Sequence, residues 1–286
     1  MSWNQLTLDV PDELKDAIIG ELSDDGVSGV WESGEPSPGH TRLILYFGPL
    51  SNLEKIESHL RMFFDRAGLQ NRSIFWARVD ECDWTEEWKK SYRSFPIGDD
   101  FFVIPSWEQT TCPADRLPIR IDPGRAFGTG THETTQLTIE ALERWVEPSH
   151  VVLDAGTGSG ILAIASRLLG ARKVFGCDID PVAAQEALAN IKRNAGNEVW
   201  TFCGSVDAVQ SESIHLVLCN MTADLIATLF GEINRVLRPH GIAIFSGILR
   251  EQNEDVHSLI SDFRFSIHEE LTRGEWTALI AGKHVA

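Results

Sequence analysis

The glycine-rich segment GTGSG, at positions 156–160, lies between an apolar run that predicts a strand and a stretch that predicts a helix. Glycine lets the backbone turn sharply and approach a ligand where a Cβ atom would clash. A strand before and a helix after are the context of nucleotide-binding loops. The dinucleotide fingerprint would have glycine where this chain has Ile161, and phosphate-binding loops need a Gly-Lys-Ser/Thr sequence that is absent here. We therefore expect a ligand without a pyrophosphate, or else a purely structural turn.

An acidic residue ends the second predicted strand of this region. Asp178 lies 22 positions after Gly156, where a carboxylate can accept hydrogen bonds from both hydroxyls of an adenosine ribose. Glycines spaced as Asp-x-Gly-x-Gly-x-Gly, followed by this acid, resemble the class I S-adenosylmethionine-dependent methyltransferases. That cofactor has no phosphate and carries a sulfonium cation, so it suits an acidic site.

Two further segments complete the pattern. DPGRAFGTGTHETT, at 122–135, places small residues and hydroxyls before a predicted helix, where free N–H groups can hold a carboxylate such as that of methionine. Asn220 ends the fourth predicted strand, beside the expected position of the methyl group. Taken alone, Asn220 is more typical of an ordinary turn or helix cap.

Together these motifs, with the tryptophan-rich DWTEEW segment at 83–88, resemble the ribosomal protein L11 methyltransferase family (PrmA) over the whole chain. The resemblance implies a ferredoxin-like domain that captures the substrate, a linker and a class I methyltransferase domain. It further implies methylation of lysine ε-amines and of the N-terminal α-amine of one large-subunit ribosomal protein.

The resemblance also implies roles for individual residues. Cofactor contacts are expected from Thr135, Gly156, Asp178 and Asn220, with Gly158, Gly160, Phe127 and Thr131 nearby. No catalytic residue is assigned beyond a possible orienting role of Asn220 toward the amine. The chain departs from the family at Met221-Thr222, usually Ile-Leu, and at Thr157, often cysteine.

The reaction itself requires a neutral amine. A lysine ε-amine has a pKa of about 10.4 in water, and burial beside a sulfonium lowers it, so water can remove the proton. His132 is the alternative, as a general base, although it lies in the segment expected to hold the cofactor.

The elements that must position these residues fall into two domains. Residues 1–80 show a β-α-β-β-α-β order, the pattern of a ferredoxin-like domain. Residues 81–100 predict a linker with a short helix, on which Trp84 and Trp88 share a face. Residues 101–286 alternate apolar strands with amphipathic helices, which indicates a doubly wound α/β domain with a parallel sheet covered on both faces. The resemblance gives that sheet seven strands.

Composition limits the possible partners. The 286 residues carry 25 Lys and Arg against 42 Asp and Glu, a net charge of −17. Such a protein repels phosphate backbones and attracts basic partners, so we expect no direct nucleic-acid binding. Five cysteines without a CxxC spacing favour a reducing compartment and give no metal site. We expect a cytoplasmic monomer without a membrane segment.

Three alternatives share the same core. A methyltransferase could act on a small molecule, RNA or another protein, although the acidic surface counts against RNA. A non-catalytic cofactor-binding module has little support, because every matched position is intact. A dehydrogenase is disfavoured by Ile161.

Overall fold

Internal contacts divide the chain into two units, Met1–Tyr92 and Arg93–Ala286. The computed structural model describes residues 2–23, 25–32, 37–69, 73–80, 92–124, 126–194 and 198–284. The predicted linker helix, with Trp84 and Trp88, falls at 81–91, outside the described residues. In the described part, no helix is long and apolar enough to cross a membrane.

The first unit is a four-stranded antiparallel sheet with two helices. Its elements are β1 (Ser2–Pro11), α1 (Lys15–Ser23), β2 (Val27–Glu32), β3 (His40–Phe47), α2 (Leu53–Arg66) and β4 (Phe75–Asp80). The strand order is β2-β3-β1-β4. Alternate residues of β1 and β3, such as Leu6 and Leu45, are buried in one core with Ile18 of α1 and Leu60 of α2. The period-2 alternation thus covers one sheet face with helices, and the predicted ferredoxin-like order is confirmed.

The second unit has a seven-stranded sheet and a smaller three-stranded one. The small sheet contains β5 (Phe95–Ile97), β6 (Phe101–Pro105) and β7 (Leu117–Ile121). The large sheet contains β8 (Val151–Ala155), β9 (Lys173–Asp178), β10 (Val199–Cys203), β11 (Ile214–Asn220), β12 (Leu237–Leu249), β13 (Phe265–Arg273) and β14 (Trp276–Lys283). β5 lies within the range predicted as linker.

Five helices cover the large sheet. They are α3 (Glu133–Trp145), α4 (Ile161–Leu168), α5 (Pro181–Asn194), α6 (Ala223–Val236) and α7 (Asn253–Asp262). The first three contact one another on one face, and α6 and α7 contact each other on the opposite face. Strand β8 is buried at every position because it lies inside both layers. The doubly wound α/β prediction is confirmed.

Strand direction differs from the fully parallel prediction at one place. The order is β10-β9-β8-β11-β12-β14-β13, and β14 is antiparallel to both of its neighbours. Only two residues separate β13 from β14, and Gly274 takes a φ of 56° there. So short a connection can only make a hairpin, so the last strand must reverse.

Candidate cofactor and acceptor site

A cavity of about 470 Å³ opens where β8, β9, β11 and β12 end. The carboxyl ends of parallel strands are where doubly wound sheets bind ligands. The residues that line it are Ala126, Phe127, His132, Thr134, Gly156, Gly158, Asp178, Asp180, Ala183, Asn220, Met221, Thr222, Leu225, Gly247 and Trp276. Five of the eight residues expected near the cofactor are therefore brought together, and three are not: Thr135, Gly160 and Thr131.

The glycine loop turns between β8 and α4 in a conformation that side chains disfavour. Gly156 and Gly158 have φ values of 68° and 52°. A Cβ on Gly158 would lie 2.4 Å from the carbonyl oxygen of Phe127. Gly160, at φ 84°, would place a Cβ 3.2 Å from the Cα of Ala187 on α5. Gly156 and Gly158 line the cavity and form its floor, whereas Gly160 allows close helix packing.

Asp178 ties the end of β9 to the glycine loop. Its Oδ2 accepts the N–H of Gly158 at 3.0 Å, and its Oδ1 accepts the N–H of Asp180 at 3.0 Å. A carboxylate has about four lone-pair sites, so each oxygen keeps one for a ligand hydroxyl. The side chain can therefore hold the loop and bind a ribose diol together.

Segment 126–132 is pinned to the loop from the other side. The N–H of Ala126 donates to Oε2 of Glu186 at 2.9 Å, and the N–H of Ser159 donates to the carbonyl of Phe127 at 2.9 Å. Asn190, buried on α5, donates to the carbonyl of Ser159 at 2.9 Å. These bonds fix the Phe127 backbone above the glycines.

His132 caps α3 and lines the cavity. Its Nδ1 accepts the N–H of Thr134 at 3.3 Å and lies 2.9 Å from the Thr134 hydroxyl. Its ring lies between Phe127, at 5.3 Å, and Trp276, at 5.1 Å, centroid to centroid. Burial lowers the pKa of His132 below its usual value, against the opposing charge of Glu133. The imidazole is therefore neutral at pH 7, with its proton on Nε2.

Asn220 and the next residue form another part of the wall. The amide nitrogen of Asn220 donates to Oγ1 of Thr135 at 3.5 Å. Thr135 is fully buried behind it, which leaves the Asn220 amide oxygen as an acceptor for the cavity. Met221 crosses Gly156, where a Cβ would lie 2.4 Å from the Met221 Cε. Gly247, at φ 86°, leaves room for the Met221 carbonyl, 2.3 Å from where its Cβ would be.

A family model described as ribosomal protein L11 methyltransferase (PrmA) matches residues 2–284. The chain belongs to this family. A relative named ribosomal protein L11 methyltransferase from Caldicellulosiruptor bescii is 34% identical over 306 residues, covering 100% of both chains. Another of that name, from Synechococcus elongatus, is 39% identical over 221 residues, 75% of this chain and 74% of its own.

A solved structure shares the fold. The ribosomal protein L11 methylase of Lactobacillus delbrueckii subsp. bulgaricus superposes with a TM-score of 0.63 at 31% identity. The superposition covers 68% of this chain and 100% of that one. The predictions of a PrmA-family methyltransferase that uses S-adenosylmethionine are confirmed.

The cavity of this methyltransferase and the residues beneath it fit the cofactor in three respects. The positions of Gly156 and Gly158 bring bare backbone to the cavity floor, and Asp178 supplies an anionic acceptor pair. Beneath the loop, Asp154 is fully buried and its Oδ1 has no hydrogen-bond partner among the described residues. A buried carboxyl group with an unpartnered oxygen suits a ligand that carries positive charge.

Several lining residues were missed from the sequence, most clearly Trp276. Because β14 runs antiparallel, its first residue lies at the edge where the parallel strands end, next to Leu249 of β12. The sequence signal was present in the closing stretch GEWTALIAGK, but only the hairpin reversal places its tryptophan in the cavity. Gly247 was missed because it lies where the register between β12 and β14 shifts, between Phe245 and Ile248. The sequence of β12 alone does not show where its pairing with another strand becomes irregular.

Proposed function

We propose that this methyltransferase transfers methyl groups from S-adenosylmethionine to lysine ε-amines and to the N-terminal α-amine of ribosomal protein L11. Membership of the family supports the substrate. The observation that carries the reaction is that Asp178 and Asn220 line one cavity. The carboxylate proposed to bind the ribose and the amide proposed to orient the acceptor amine thus line the same cavity.

Four residues would hold the cofactor, either directly or through a neighbour. Asp178 accepts the ribose hydroxyls, and Gly156 offers its backbone at the cavity floor. Asn220 borders the reacting end, and buried Thr135 acts through Asn220 by fixing its amide. When bound, S-adenosylmethionine supplies a methyl group on a sulfonium centre.

The acceptor amine must reach the cavity neutral. Phe127, Trp276 and neutral His132 give one part of the cavity wall an apolar, uncharged lining, which would lower the pKa of an entering lysine from its usual value of about 10.4. The amide oxygen of Asn220 accepts an N–H and aims the lone pair. With the cofactor bound, this nitrogen would take the methyl group, the sulfur would leave as the neutral thioether of S-adenosylhomocysteine, and the amine proton would pass to water. Alignment is the main contribution of the protein.

His132 is poorly placed to act as the general base. A base needs a free lone pair within reach of the proton it removes. In the neutral ring that lone pair is on Nδ1, which already accepts the Thr134 N–H. Protonating it would also uncap α3. We therefore assign His132 a positioning role.

We further propose that the first unit captures L11, with residues 81–100 as the linker to the methyltransferase domain. The net charge of −17 would attract a basic substrate protein and repel nucleic acid and anionic membranes. Five cysteines without paired spacing support a reducing cytoplasmic location, and we propose a monomer there.

One experiment tests the function. The protein is incubated with methyl-labelled S-adenosylmethionine and a mixture of large-subunit ribosomal proteins and ribosomal RNA. We expect label in L11 alone, on lysine and N-terminal peptides located by mass spectrometry. Label in RNA, or in other proteins but not L11, contradicts the proposal.

A further inference from the structure

A buried carboxylate lies beneath the cofactor loop and takes no part in the proposed mechanism. Asp154, near the end of β8, is fully buried. Its Oδ2 accepts the hydroxyl of Thr157 at 2.6 Å and the N–H of Ala163, in the first turn of α4, at 3.2 Å. Its Oδ1 has no partner in the part of the chain that the structure describes.

The charges around this carboxylate do not stabilise its ionised form. Asp178 on β9 adds a like charge, and Cys177 on β9 and Cys219 on β11 are buried thiols whose own pKa values are raised. The first turn of α4 has only apolar side chains, so it contributes its amide dipoles and no charge. Burial raises the pKa of Asp154 to about 7, and the bonds from Thr157 and Ala163 oppose that rise.

Thr157 is held where its hydroxyl must meet this carboxylate. Its side chain is buried, and its N–H donates to the carbonyl of Cys177 at 2.9 Å. Gly176 provides the space, because a Cβ there would lie 2.9 Å from Oγ1 of Thr157. Thr157 offers a hydroxyl, which is a stronger hydrogen-bond donor than a thiol of similar size would be.

We propose that Thr157 is a positioning residue whose hydrogen bond stabilises the ionised form of Asp154, and that the negative charge of this form strengthens binding of the cationic cofactor. Cofactor affinity is then linked to one proton held beneath the loop. The inference rests on the proposed function, since it needs S-adenosylmethionine in this cavity.

The sign of the linkage follows from the charges. A bound cation favours ionised Asp154, so the pKa of this group is lower in the complex than in the free protein. Affinity is therefore full above the free-protein pKa and falls as the pH drops through about 7. Removing the Thr157 hydroxyl raises the free-protein pKa, so the fall begins at higher pH.

Calorimetric titration of the full chain with S-adenosylmethionine from pH 6 to 9 tests this. We expect Thr157→Val to move the affinity midpoint up by about one pH unit and to weaken binding up to roughly tenfold near pH 7. At pH 9 its affinity should match the unsubstituted protein, and Thr157→Ser should restore the original midpoint. S-adenosylhomocysteine, which lacks the sulfonium charge, should show a weaker pH dependence.

The outcomes separate two failures. Equal weakening of Thr157→Val at every pH means that the threonine only shapes the loop, and an unmoved midpoint likewise overturns the inference. If the unsubstituted protein binds neither compound at any pH, the proposed function itself fails.

Discussion

Asp178 shows at the scale of one residue how a side chain can serve the fold and a ligand together. Both carboxylate oxygens already accept backbone N–H groups, from Gly158 in the loop and from Asp180 before α5. The remaining lone pairs lie at the cavity, whose lining includes this residue. Its loss would therefore remove the proposed ligand contacts and also loosen the loop that forms the cavity floor.

Replacement of Asp178 tests this double role. We expect Asp178→Ala to weaken S-adenosylhomocysteine binding at least tenfold, since charge-assisted hydrogen bonds to the ribose are lost. Asp178→Asn should weaken it less, because one acceptor oxygen remains for the loop. Calorimetry measures both, with Asp255→Ala, an exposed aspartate on α7, as the matched control. Unchanged affinity in Asp178→Ala would place the ribose elsewhere.

At the scale of elements, the glycine loop depends on close approach as well as on backbone conformation. Gly158 and Gly170 both have positive φ values, 52° and 99°. A Cβ on Gly158 would collide with the Phe127 carbonyl, whereas the nearest atom at Gly170 would be 4.0 Å away, on Pro148. Alanine at either position would strain the backbone, but only at Gly158 would its Cβ also clash with a neighbouring atom. Comparing the two substitutions therefore distinguishes the effect of strain from the effect of crowding.

We expect Gly158→Ala to reduce cofactor affinity more than tenfold, because the loop must move away from segment 126–132 and its bond to Asp178 is lost. Gly170→Ala should cost only about 1 kcal/mol of the free energy of unfolding and leave affinity unchanged. Thermal unfolding and calorimetry measure the two quantities. Equal affinities in the two variants would show that crowding at Gly158 is not needed for the site.

At the scale of the whole molecule, the cavity and the proposed substrate-capturing unit are separate. Every residue that lines the cavity belongs to Arg93–Ala286. The first unit has its own buried core, formed by both helices and one face of its sheet. Removal of the first unit should therefore affect substrate capture without affecting cofactor binding, and each can be measured by itself.

A fragment that begins at Arg93 should bind S-adenosylhomocysteine within about threefold of the full chain, because it retains the cavity and β5, which pairs with β6. It should lose methylation of L11, since the proposed docking unit is removed. Calorimetry and mass spectrometry of L11 measure the two effects. Full L11 methylation by the fragment would show that the first unit is not needed for capture.

Local signals in the sequence determined much of this protein. The β-α-β-β-α-β order, the strand–glycine–helix turn at 156–160 and the acid Asp178 at the end of β9 were all predicted. Hydrophobic periodicity and the conformational freedom of glycine act between residues close in the chain, so a single sequence carries them.

Only the tertiary structure decided which distant residues share the cavity. It buried Thr135 behind Asn220, and it reversed β14 so that Trp276 lines the cavity. Each of these depends on strand order, strand direction or burial between layers. Such properties arise from contacts between segments far apart in sequence. The hydrophobic pattern of one segment does not specify which other segment packs against it, so a single sequence does not reveal these contacts.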